Sequence, residues 1–188
     1  MSSQGLQWEV DSEVWFVGPT DDRPYERWLP EAVALVTALF EIGDDETDRL
    51  RYVAAILERI GSGTPDPDWL SYRLIRWPVL EETPFVVSYG LVERDPDLAG
   101  YLVAKGQPVV EEPIVVESVG RHGSTTRRAV AYYQDGRGLM INLRVIVDFG
   151  DAEVVALLDS ATRDPKVLAV ALDDVDRFAA GLSLERFG

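Results

Sequence analysis

The sequence predicts an α+β fold: an antiparallel β-sheet meander covered by N-terminal helices and a C-terminal helix. Three observations predict it. Two apolar stripes of helical period lie between residues 30 and 61, a close succession of strand patterns follows, and one wide amphipathic helix closes the chain. Strands joined by such short connections pair antiparallel, and their apolar face needs a helical cover. No β-α-β alternation supports a dinucleotide-binding fold. The chain has 188 residues, of which 46% are apolar and 27% charged, which suits one domain spanning 1–188. No repeat, linker or low-complexity tract divides it.

The elements follow in order. Residues 14–17 read as a short strand, the second arm of a hairpin beginning near Trp8, and Gly18-Pro19 ends it. Pro30 opens a helix, because a proline at the first helical position forfeits no needed hydrogen bond. Val33, Val36, Leu39 and Phe40 share one face, and Ala32, Leu35 and Ile42 fill much of the rest. A helix so apolar is expected to be largely buried. Asp45 is placed to cap a second helix, with Asp48 reaching back, Leu50, Val53, Ala54, Leu57 and Ile60 as its stripe and Gly61 as its stop. Residues 63–68 form a proline-rich loop.

Leu70, Tyr72 and Leu74 alternate as a strand that Pro78 closes, and Phe85, Val87, Tyr89 and Leu91 mark the next. Asp95-Pro96 starts a short helical turn through Leu102. Val110, Ile114 and Val116 form a strand that Pro113 interrupts, so it belongs at an edge or a bulge. Val130 and Tyr132 lead into the turn Asp135-Gly136-Arg137-Gly138. The alternation Leu139, Ile141, Leu143, Val145, Val147, Phe149 is the clearest period-two signal in the chain. Residues 154–158 make another strand. Asp164 caps the last helix and Pro165 takes its first position. Its stripe is Val167, Leu168, Ala171, Leu172, Val175, Phe178, Ala179 and Leu182.

Composition excludes several functions. The net charge of -15 repels free nucleic acid, whose affinity depends on cations replacing counterions. The chain has no Cys, so disulfide, thiol and thiolate-metal chemistry are absent. With one His besides, a zinc site would rest on carboxylates, and no metal or other cofactor is expected. Residues 1–10 lack the basic start and apolar stretch of a signal peptide, and no apolar run is long enough to span a bilayer. The expected location is cytoplasmic, away from membranes.

Few residues carry a chemical signal. His122 and Ser124 sit in a glycine-rich turn, but two residues of separation does not set a base between a nucleophile and an acid, and no catalytic residue is assigned. The acidic run 43–48 lacks the turn glycine and the bidentate Glu of a calcium loop, and reads as a helix start. From Val119 to Arg144 there are five Arg against one acid, an island of positive charge in an acidic chain. Arg121, Arg127 and Arg128, in what reads as a Gly/Ser/Thr-rich hairpin tip, are candidate ligands for an anion or an acidic partner surface. All five Trp lie in the first 80 residues amid Arg23, Arg27, Arg73 and Arg76. Trp and Arg dominate interface hot spots, and aromatics also fill cores. Trp28, Trp69 and Trp77 are the binding candidates from this group.

The closing part reads Val145-Ile146-Val147-Asp148-Phe149-Gly150-Asp151, then residues 154–158, then Asp164-Pro165 and Asp173-Asp174-Val175-Asp176-Arg177-Phe178. In this pattern the second half resembles the end of small Mog1/PsbP-like proteins, which place an antiparallel sheet between helices. The resemblance implies a non-enzymatic binding module, since such folds act as assembly factors, adaptors and secretion chaperones.

Three functional readings follow. The first is a non-enzymatic protein-binding module: a cytosolic adaptor, an effector or secretion chaperone, or an immunity-type protein, with a protein as its partner. The second is a small-molecule-binding or hydrolytic domain with a pocket between sheet and helices, which needs paired acids in a cleft. The third is a structural subunit of a symmetric assembly. The oligomeric state is left open.

Overall fold

The computed structural model describes residues 4–8, 11–12, 15–63 and 72–186. Along the described chain run β1 (Gln4–Gln7), β2 (Phe16–Val17), α1 (Tyr25–Leu39), α2 (Thr47–Ser62), β3 (Tyr72–Arg76), β4 (Phe85–Glu93) and α3 (Leu98–Leu102). There follow β5 (Val115–Val119), β6 (Thr125–Asp135), β7 (Gly138–Asp148), β8 (Val154–Thr162), α4 (Pro165–Gly181) and β9 (Ser183–Arg186). Seven strands form one antiparallel sheet in the order β2-β3-β4-β8-β7-β6-β5, and β1 pairs with β9 in a separate ribbon. This is the α+β architecture that the strand run and its flanking helices predict.

Alternation of side chains builds two layers on this sheet. On one face Tyr89, Leu143, Val145 and Leu158 meet Leu168, Val175 and Phe178 of α4. On the other face Ile75 and Trp77 pack under Trp28, Val36, Val53 and Leu57 of α1 and α2, while Ile146, Val155 and Leu157 pack under Leu102 of α3. The run Leu143–Val147 is buried on both faces, which marks β7 as interior. A two-residue connection, Gly136-Arg137, joins β6 to β7, and Gly138 adopts φ +114°, a conformation open to glycine.

α4 begins as its sequence predicts: Asp164 Oδ1 accepts from the Lys166 amide at 2.8 Å and Pro165 takes the first turn. The other helix ends differ from expectation. α1 starts at Tyr25, so Pro30 lies inside it. The burial of Trp28 and the amides of Arg27 and Trp28 bonded to Pro24 O secure a turn that the proline rule alone places later. α1 is also not largely buried. Trp28, Ala32 and Val36 face the core, whereas Leu35 and Leu39 are 51% and 58% exposed, because a helix packed on one layer buries one stripe.

Asp45 does not cap α2; Glu46 precedes its first turn, and the Glu46 carboxylate accepts from the Gly43 amide. Gly61 does not stop α2 either. It lies in the last turn against Trp28, where a Cβ would stand 2.5 Å from the Trp28 ring. The glycine is there for close approach, and the helix ends at Ser62.

The strand near Trp8 does not form a hairpin with β2: β1 pairs with β9, a strand that the sequence reading did not anticipate. Val14, Leu70 and the loop 64–68 lie outside the described residues. β6 begins at Thr125, ahead of the start near Arg128 expected after the glycine-rich turn, and β8 continues to Thr162. β5 is an edge strand, as Pro113 suggests, but it begins at Val115, so Val110 and Ile114 precede it. From Val109, bridged to Tyr133, to Val115, paired with Ala129, the outer chain takes six steps against four in β6, and Pro113 falls within that slack. Among the described residues, no helix is long and apolar enough to cross a membrane.

Candidate functional site

The three arginines do not form a cluster. Arg121 lies in the turn after β5, but Arg127 and Arg128 are consecutive residues of β6 and therefore point to opposite faces of the sheet. Arg128 is directed to α4 and pairs with Asp176 at 3.4 Å. The sequence reading placed them together because its strand began too late. Arg121 and His122 are exposed and line a cleft of about 1010 Å³ on the α4 face, beside Leu6, Trp8, Trp15 and Phe178. Asp174 and Arg177 line it too. The Asp174 carboxylate, largely buried, accepts from Arg76 Nε at 2.8 Å and also from Arg177, which ties α4 to β3. No hydrogen bond links His122 to Ser124, whose hydroxyl is buried without a partner. Among the described residues, no three His, Asp or Glu side chains come together as a metal site.

Trp28 and Trp77 are core residues. Trp28 is 1% exposed and donates its indole N–H to Val17 O at 2.8 Å; Trp77 is buried and donates to Glu82 O at 3.1 Å. Their buried positions remove them from any contact surface. Trp69 lies outside the described residues.

One polar group was missed by the sequence reading. Arg144 sits on the α3 face of β7, its guanidinium 4.7 Å from the centre of the Tyr101 ring. It donates to Tyr101 O at 2.8 Å and to Gln107 Oε1 at 3.0 Å. Tyr101 donates its hydroxyl to Asp159 Oδ2 at 2.6 Å. Burial pushes the Asp159 carboxyl above its usual range, against the pull of Tyr101 and Arg144. Burial and the neighbouring Asp159 raise Tyr101 as well. Both groups are engaged with each other, so the cluster fastens α3 to the sheet. The available signal was a lone Arg inside the period-two run of β7.

Among the described residues the sheet edge at β5 is left open. Every residue of β5 is exposed, and no described strand pairs along its outer side. Ile114 and Val119 are 81% and 79% exposed, and Val110, Val115 and Val116 are exposed beside them. Alternate N–H and C=O groups of an antiparallel edge strand point outward, so the strand offers a main-chain template together with apolar side chains on both faces. Strand edges of this length ordinarily carry Lys, Pro or inward charge as protection, and β5 itself has only Glu117 as a charged residue. Glu111 and Glu112 are exposed before the strand, and Arg121 is exposed after it.

No protein-family model and no curated protein matches the chain. Among solved structures it is similar to LpqN of Mycobacterium tuberculosis, described as involved in cell envelope biogenesis. The TM-score is 0.51 at 11% identity, over 97% of this chain and 84% of that one. At that identity the likeness is one of fold.

Proposed function

We propose that the chain is a non-enzymatic, cytoplasmic protein-binding module that takes its partner by strand addition at β5. The observation that carries this reading is the open β5 edge, with four aliphatic side chains, Ile114, Val115, Val116 and Val119, exposed along it. Strand addition draws affinity from main-chain hydrogen bonds and specificity from alternate side chains, and both are on offer there. A resemblance to the Mog1/PsbP-like proteins, if it extends to function, points to the same class. The test is selection of extended peptides from a display library on the wild-type protein, followed by titration against Val116→Lys. Lysine on the edge should abolish capture, because a charge there opposes an added strand. Equal binding by the variant removes β5 as the site.

The cleft beside Trp8 and Trp15 favours a second reading, a small-molecule site between the sheet and α4, because aromatic walls and the polar groups of Arg121 and His122 converge on one concave space. A thermal-shift screen whose hits disappear in Arg121→Ala would support it.

A further inference from the structure

We infer that the occupant of the β5 edge is a second copy of this chain, paired antiparallel about a twofold axis through Val116; the inference rests on β5 being the interaction edge. A twofold axis perpendicular to a sheet keeps each side chain on its own face. Residues directly opposite across the axis must share a face, so the central residue of such a pairing sits opposite itself. Centring on Glu117 would set two carboxylates against each other, which opposes pairing. Centring on Val116 sets Val116 against Val116, Ile114 against Ser118 and Val115 against Glu117 of the second copy.

The flanking charges agree with this register. In the same pairing the chain before β5 of one copy, with Glu111 and Glu112, runs out toward the turn after β5 of the other, where the Arg121 amide is bonded to Ala180 O at the end of α4, and the arrangement occurs twice. All three side chains are exposed, and among the described residues none takes part in an ion pair within its own chain. The two ends of one edge thus carry opposite charges that only an antiparallel copy, or a strand of the same polarity, brings together. Both faces of β5 contribute aliphatic groups, so the joint would bury Val116 and Ile114 on the α4 side and Val115 on the α3 side. One strand pair covers little area, so the association is a weak, reversible one.

The chain has no cysteine, which gives a direct test of register. Opposed residues of antiparallel strands have Cα atoms about 4.5–5.5 Å apart, within the span of about 4.4–6.8 Å that a disulfide bridges. Full-length Val116→Cys should therefore cross-link to a dimer under mild oxidation, while Ser118→Cys and Val110→Cys should not. Sedimentation of the wild type should show concentration-dependent dimer from micromolar to sub-millimolar protein. Arg121→Glu should weaken that dimer by roughly tenfold, and adding Glu111→Arg and Glu112→Arg to it should restore it. A wild type that stays monomeric throughout, or faster cross-linking at Glu117→Cys than at Val116→Cys, overturns the proposal. If that monomer still captures extended peptides through β5, the edge reading survives and the pairing of copies alone falls.

Discussion

The two edges of the sheet are treated in opposite ways. At the β2 edge the strand is two residues long, and its last carbonyl, Val17 O, accepts from both Trp28 Nε1 and Arg23 Nη2 at 2.8 Å. The chain then closes on itself at Thr20 and Arg23, and the α1–α2 layer covers Ile75 and Trp77 behind it. At the β5 edge all five residues are exposed, with no such closure among the described residues. The same molecule thus shows how an edge is sealed, with side-chain donors on a short strand, and omits the device at the other end. That difference teaches that the open edge is specific to β5 and not a general looseness of the fold, which is why β5 carries the functional reading.

The largest test of the contrast is Trp28→Ala. It removes a fully buried indole and the donor to Val17 O together, and should cost about 3–5 kcal/mol, read from denaturant melts. A loss below about 1 kcal/mol would mean that α1 does not seal the β2 edge. Arg73→Ala should cost less, about 1.5–3 kcal/mol. The Arg73 guanidinium is buried between β3 and the end of α2 and donates to Ile60 O and Gly63 O, carbonyls that the helix end leaves unmatched. Burial draws its pKa down. Losing both donors should loosen the last turn of α2, and amide hydrogen exchange across that turn would report it.

The two halves also differ in how far the sequence foretold them. β7 and α4 were legible because their signals are local: an unbroken period of two, and an acid and a proline at a helix start. The β2 edge was less legible because its structure depends on contacts far apart in sequence. Pro30 looked like a helix start because nothing local to it shows that Trp28 will be buried against β2. Gly61 looked like a stop because the Trp28 ring it touches lies 33 positions earlier. For the candidate site, Pro113 did mark β5 as an edge or bulge. The arginines were misjudged because the β6 start decides whether Arg127 and Arg128 share a tip or face apart, and Thr125-Thr126-Arg127-Arg128 carries no apolar alternation to show it. The extent of the exposure of β5 was not legible: Pro113 points to an edge, but a valine-rich strand does not show which of its faces is left uncovered until its neighbours are known.

A smaller effect concerns pH. Near the open half, Asp135 at the β6–β7 turn accepts from Arg163 at 3.0 Å and from the Arg137 amide at 2.8 Å, which holds its carboxyl down at about 2. A carboxyl whose folded pKa is depressed adds stability that is present above its unfolded value and lost as pH falls through the folded one. The contribution is therefore complete above the ordinary Asp value of 3.8 and fades toward about 2. Thermal melts of Asp135→Asn should converge on the wild type as pH falls through that window. A gap that stays constant down to pH of about 2 would show that the carboxylate charge is not what the turn uses.

The smallest effect on stability, and the sharpest test of the comparison, is Val119→Lys. Val119 is 79% exposed at the end of β5, and a lysine there loses almost no packing, so the melt should move by no more than about 0.5 kcal/mol. Its effect should fall on association instead. Val119 stands at the rim of the proposed pairing, opposite Pro113 of the second copy, where a lysine replaces an aliphatic contact with a charge that must shed water when a strand is added. Dimer measured by sedimentation should therefore decrease while the fold holds. If Val119→Lys instead destabilises the monomer by more than about 1 kcal/mol, the side chain is packed against something, and the β5 edge is sealed after all in the manner of β2. The two edges would then be alike, and the binding surface would have to be sought at the cleft beside Trp8 and Trp15.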